Sequence, residues 1–78
     1  LTSVALGDSP NDLGMLQIVD RPIVVPRPDG APDAVLAGRL PKAELAPWPG
    51  PRGWNAAVLA VIGGSRLPLL SGAEEARN

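Results

Sequence analysis

The sequence predicts an α/β fold, a parallel β-α-β unit followed by a longer amphipathic helix. Three observations carry this. A short apolar, β-branched run, Thr2 to Leu6, stops at Gly7 and gives way to helix-starting residues. A second apolar run, Ile23-Val24-Val25, follows so soon that strand, helix and strand fit within 30 residues, and such a unit takes a right-handed crossover with parallel strands. Farther on, Trp54, Ala57, Val58, Val61 and Ile62 recur at helical spacing.

The first strand runs into Gly7-Asp8-Ser9-Pro10-Asn11-Asp12. Ser9 suits a helix N-cap, and Pro10 suits the first helical position, where its missing N–H costs nothing. Asp12, placed three residues after Ser9, completes the pattern of a capping box with a carboxylate partner. The predicted helix spans about Pro10 to Val19, with Leu13, Leu16 and Val19 along one side and Gly14 as an unexplained weak point.

The chemistry of this turn follows from its place. A helix start offers free N–H groups and a positive dipole end to an anion. Open α/β sheets bind ligands beyond the carboxyl ends of their strands, where Asp8 stands. A hard cation such as Mg²⁺ takes one or two carboxylates, waters and phosphate oxygens. Asp8 is therefore a candidate metal ligand. Asp12 is a candidate second ligand, an outer partner, or a cap only, and Asn11 is a candidate donor to a phosphoryl oxygen or substrate. The plain alternative is that Asp, Ser, Pro and Asn here form a capped turn and nothing more. An EF-hand loop is excluded: counted from Asp8, Pro10 would occupy a ligand position and Leu13 the position that needs Gly.

Asp20-Arg21-Pro22 reads as a turn, and the second strand, Ile23 to Val25, ends at Pro26. Parallel pairing brings Arg27 to the same edge as Asp8, as a substrate contact or as a solvated side chain. Pro28-Asp29-Gly30 is turn chemistry. Pro32 to Leu40 is weakly helical, and Pro41 to Leu45 reads as an irregular connector. Ala46-Pro47-Trp48-Pro49-Gly50-Pro51 is stiff and lacks the P-x-x-P spacing of an SH3 ligand; Trp48 is expected to clamp it to the body. The last helix opens at Pro51 or Gly53 and ends at Gly63-Gly64, with Trp54 as its largest buried group. Residues 65–78 read as a docked turn and a frayed tail beyond the folded part, 1–64.

Composition narrows the function. The chain has 78 residues and a net charge of −1, with no Cys and no His. Thiol chemistry, zinc-thiolate sites and imidazole bases are thereby excluded, and acid–base work falls to carboxylates. No basic patch supports nucleic-acid binding. The longest apolar run, Ala56 to Ile62, covers seven residues, far short of the ~20 a membrane helix needs. Ten Pro and nine Gly beside only two aromatic residues leave a thin core.

Gly7-Asp8-Ser9-Pro10-Asn11-Asp12 after an apolar strand, continued by Leu13-Gly14-Met15-Leu16, resembles the fourth conserved motif of haloacid dehalogenase superfamily phosphatases. Gly50-Pro51-Arg52-Gly53-Trp54-Asn55-Ala56-Ala57-Val58-Leu59 resembles a C-terminal segment of the mannosyl-3-phosphoglycerate phosphatases within that superfamily. The resemblance implies a C-terminal fragment of a Rossmann-like core and a cytoplasmic, Mg²⁺-dependent phosphomonoesterase acting on a phosphorylated sugar or glycerate. Members use an aspartate nucleophile, a second aspartate as acid/base, and a Ser or Thr and a Lys on the phosphoryl group. By motif position Asp8 would be the metal ligand, Asp12 would support the metal shell, and Ser9 and Asn11 would line the site.

The departures from the family pattern are specific. No Asp-x-Asp motif occurs, and Lys42, the only lysine, stands between Pro41 and Ala43, unlike the family's phosphate-binding Lys. The nucleophile, the phosphate clamp and the cap are therefore expected upstream of Leu1, and the 78-residue chain alone is expected to be inactive. Another phosphatase or a phosphomutase of the superfamily, and a non-catalytic structural or interaction fragment, remain as alternatives.

Overall fold

The computed structural model describes residues 2–70; of the expected docked turn and tail, 65–78, residues 71–78 lie outside the described residues. Three parallel strands in the order β1-β2-β3 form the sheet. They are β1 (Val4–Gly7), β2 (Arg21–Val24) and β3 (Glu44–Leu45), with Val4 opposite Arg21 and Ile23 opposite Glu44. The helices are α1 (Leu13–Ile18), α2 (Ala34–Arg39) and α3 (Gly50–Ile62). The expected α/β class and parallel β-α-β unit are both present.

The sheet is covered on both faces, which explains why the second half of its central strand, Ile23-Val24, is apolar and fully buried. On one face Leu16 of α1 and Leu36 of α2 meet Ala5, Val24, Leu40, Ala43 and Leu70. On the other, Ala57 of α3 meets Ile23, Val25 and Ala46, with Val4, Leu6 and Val61 at the margin. Ile23, Val24, Val25, Leu36 and Ala57 are fully buried.

Several expectations are corrected. The first helix is shorter and starts as a single 3-10 turn, Pro10–Asp12, before α1. Gly14 faces open space, with nothing within 4 Å of where a Cβ would stand, so no packing demands it. Arg21 and Pro22 belong to β2 and not to a turn, and the supposed connector 41–45 contains β3.

The largest correction concerns α3. Trp54 is 38% exposed, and Val58, Leu59 and Ile62 are exposed as well, while Gly53 and Ala57 are buried. A Cβ on Gly53 would fall 1.7 Å from the Trp48 carbonyl oxygen and 3.1 Å from Val25 Cγ1. The helix therefore approaches the sheet by its backbone, and its small residues turn inward.

The chain after α3 also joins the sheet. Leu69 forms an antiparallel bridge with Glu44, and the Leu45 N–H donates to the Pro68 carbonyl at 2.7 Å. Buried beneath this edge is an ion pair. Arg21 Nε and Nη2 donate to Glu44 Oε2 and Oε1 at 2.5 and 2.8 Å, and Arg21 also donates to the Ser65 carbonyl. The Leu67 N–H donates to Glu44 Oε1 at 2.8 Å.

Candidate functional site

Asp8 follows the carboxyl end of β1, and its turn is built on close contact. Asp12 Oδ2 accepts from the Asp8 N–H at 3.0 Å, from the Ser9 N–H at 3.3 Å and from Ser9 Oγ at 3.4 Å. The carboxylate thus folds back over the turn. Only a glycine at position 7 permits it, because a Cβ there would lie 2.6 Å from Asp12 Cβ and 2.9 Å from Oδ2. The Asp12 N–H also donates to the Ser9 carbonyl at 3.0 Å, and Ser9 and Asp12 form the expected capping box.

Three consequences follow for the site residues. Asp12 holds the turn through Oδ2. Asp8 is exposed, and its carboxylate takes no hydrogen bond or ion pair among the described residues. Ser9 is half-buried with its hydroxyl turned to Asp12, and Asn11 is exposed beside it. The turn brings all four together within one short loop. Among the described residues no three carboxylates gather closely enough to hold a metal ion by themselves. One outward carboxylate still fits Mg²⁺, which fills much of its shell with water and phosphate oxygens. Because α1 has only six residues, its dipole draws an anion less strongly than the longer expected helix would.

Arg27 follows β2 at the same pole. Its backbone lies in a turn, with the Arg27 N–H donating to the Ala31 carbonyl at 2.8 Å, and its side chain is exposed. Trp48 is 44% exposed and carries the Arg52 guanidinium 4.0 Å above its ring centroid. Sequence reasoning read Trp48 as a clamp and gave Arg52 no role. A cavity of about 440 Å³ lies at the opposite pole between α1 and α2, lined by Asp20, Arg39 and Lys42 among others. It is remote from the Asp8 turn, and the chemistry of the turn weighs more than its size.

Sequence reasoning also missed the buried pair. The hydrogen bond from Arg21 holds Glu44 below the usual carboxylate range, against the opposing effect of burial, with help from the Leu67 N–H. The same bond raises Arg21. This pair sits at the start of β2 and organises the sheet; it does not reach Asp8.

Fold and turn together define a piece of a Rossmann-like α/β sheet with an acidic loop at its carboxyl edge. Known relatives narrow the resemblance. The chain is similar to a glucosyl-3-phosphoglycerate/mannosyl-3-phosphoglycerate phosphatase of Methanococcoides burtonii, 44% identical over 63 residues, which are 81% of this chain and 22% of that protein. A protein of the same name from Persephonella marina is 38% identical over 60 residues, 77% of this chain and 21% of that protein. The chain therefore spans about a fifth of the length of the curated relatives it matches. No family model and no solved structure matches it.

Proposed function

We propose that this chain is the metal-binding portion of a Mg²⁺-dependent haloacid dehalogenase-type phosphomonoesterase acting on a glycosylated 3-phosphoglycerate. The observation that carries the proposal is the pair of relatives, both named as phosphatases of glucosyl- and mannosyl-3-phosphoglycerate. Asp8 supplies a carboxylate to the ion. Asp12 supports that shell by fixing the backbone of Asp8 and Ser9 through its own Oδ2. Ser9 and Asn11 border the place where the phosphoryl group would rest. When bound, Mg²⁺ would neutralise phosphoryl charge as the ester breaks. Phosphoryl transfer needs nucleophile, ion and cationic clamp together, and this sequence carries no Asp-x-Asp motif.

The test uses the full-length protein that carries this chain. Hydrolysis of mannosyl-3-phosphoglycerate is expected with Mg²⁺, and Asp8→Asn should lower kcat/KM by about 100-fold or more and raise the Mg²⁺ concentration needed. An unchanged Asp8→Asn enzyme would remove Asp8 from the metal site. The 78-residue chain on its own should release no phosphate, and turnover by it would show that these residues suffice for the chemistry.

A further inference from the structure

The carboxyl edge of the sheet holds a second feature besides the Asp8 turn. Beyond β3 the chain passes through buried Ala46 to Trp48 and enters α3 at Gly50, whose φ of 62° makes the sharp entry. Arg52, in the first turn of α3, stacks on Trp48. It is exposed and has no carboxylate partner among the described residues.

The position of this turn relative to Asp8 is fixed by two contacts. Gly53 packs against the Trp48 carbonyl and Val25 Cγ1. The Val25 N–H donates to the Gly7 carbonyl at 2.8 Å, and Gly7 precedes Asp8. Neighbouring strands stand about 4.8 Å apart, so the two features share one edge of a narrow sheet. A guanidinium resting on an indole is held in one plane and keeps its N–H fork free. That fork matches a carboxylate in two parallel hydrogen bonds. Arg27 shares the pole, but no ring lies beneath it among the described residues, so it lacks this orientation.

The geometry points to Arg52, stacked on Trp48, as the residue that recognises the substrate's carboxylate beside the phosphoryl group at the Asp8 turn. This rests on the phosphatase reading above and deepens it, since a 3-phosphoglycerate unit carries both anions on one short skeleton. It places part of the substrate selection at the start of α3, beside the carboxyl edge of the sheet.

Calorimetry on the full-length protein separates the two anions. The ligands are 3-phosphoglycerate and glycerol 3-phosphate, which share the phosphate and differ at the carboxylate. The unaltered protein should bind 3-phosphoglycerate about tenfold tighter or more. Arg52→Met should bring that ratio to about one without weakening glycerol 3-phosphate, Arg52→Lys should retain part of it, and Arg39→Met, at the opposite pole, should leave it intact. A ratio that survives Arg52→Met, a ratio near one in the unaltered protein, or an equal loss for both ligands would each overturn the assignment. Hydrolysis of mannosyl-3-phosphoglycerate is read separately. If it is absent while the ratio behaves as expected, the phosphatase reading fails and the role of Arg52 stands.

Discussion

Gly7 is the smallest residue in the turn and the one with least freedom to change. The Gly7→Ala methyl would overlap Asp12 Cβ, and relief would push the carboxylate off the Asp8 and Ser9 amides. A loss of about 1–3 kcal/mol is expected, measured by urea unfolding. Glu44 is the second such residue. Breaking a buried pair leaves its partner charged and unmatched, so Glu44→Gln should cost about 3–5 kcal/mol, while replacing Arg21 and Glu44 together by Met and Leu should recover most of it. The pH dependence has a definite sign. Glu44 is held lower in the folded chain than when unfolded, so its contribution is complete above the ordinary glutamate value, ~4.3, and is lost as pH falls through the lower folded value. Unfolding midpoints measured from pH 6 to pH 2 should therefore fall in acid for the native sequence, and this component should be missing in Glu44→Gln.

At the scale of elements, α3 separates what a sequence shows from what it hides. The strand–turn–helix at Asp8 was legible because its signals are local: an apolar run, a glycine, a Ser-Pro start. The existence of α3 was legible from its period, and Ala57 and Val61 of the expected stripe do face the sheet, but Trp54, Val58 and Ile62 do not. The apolar stripe points toward Trp54, whereas close backbone approach at Gly53 selects Gly53 and Ala57 for the interior. The role of Arg21 was hidden because its partner lies 23 residues away on β3, a strand of two residues with no pattern of its own. Arg52 was hidden for a similar reason, since stacking on Trp48 depends on how the Pro-rich entry bends. Two substitutions test the orientation of α3. Ala57→Leu should cost about 1–3 kcal/mol by overpacking, and Ile62→Glu, at a 77% exposed position of the expected stripe, should stay within about 0.5 kcal/mol. A loss at Ile62→Glu as large as that at Ala57→Leu would restore the face expected from the stripe.

At the scale of the whole molecule, the described residues leave apolar surface uncovered. Ile18 is 83% exposed and Ile62 77%, with Trp54, Val58 and Leu59 beside the latter on α3. The far edge of β1 has no paired strand among the described residues, and unpaired edges recruit other chains. The isolated chain should therefore self-associate with rising concentration in sedimentation velocity, and a Leu59→Lys, Ile62→Lys double variant should shift it toward monomer. Among the described residues no helix is long and apolar enough to cross a membrane, so this surface is not a bilayer span of helical kind.

The Asp12 tether has a consequence for how an ion would be held. Fixing a backbone residue costs roughly 1–2 kcal/mol of conformational entropy. Here Asp8 and Ser9 are fixed by Asp12 through hydrogen bonds of the turn itself, so in the proposed role that ordering would be met by folding and not by binding. Ion affinity at Asp8 would then be coupled to the stability of the sheet beneath it. A substitution far from the turn that loosens β1 and β2 would weaken ion binding without touching any atom near the ion.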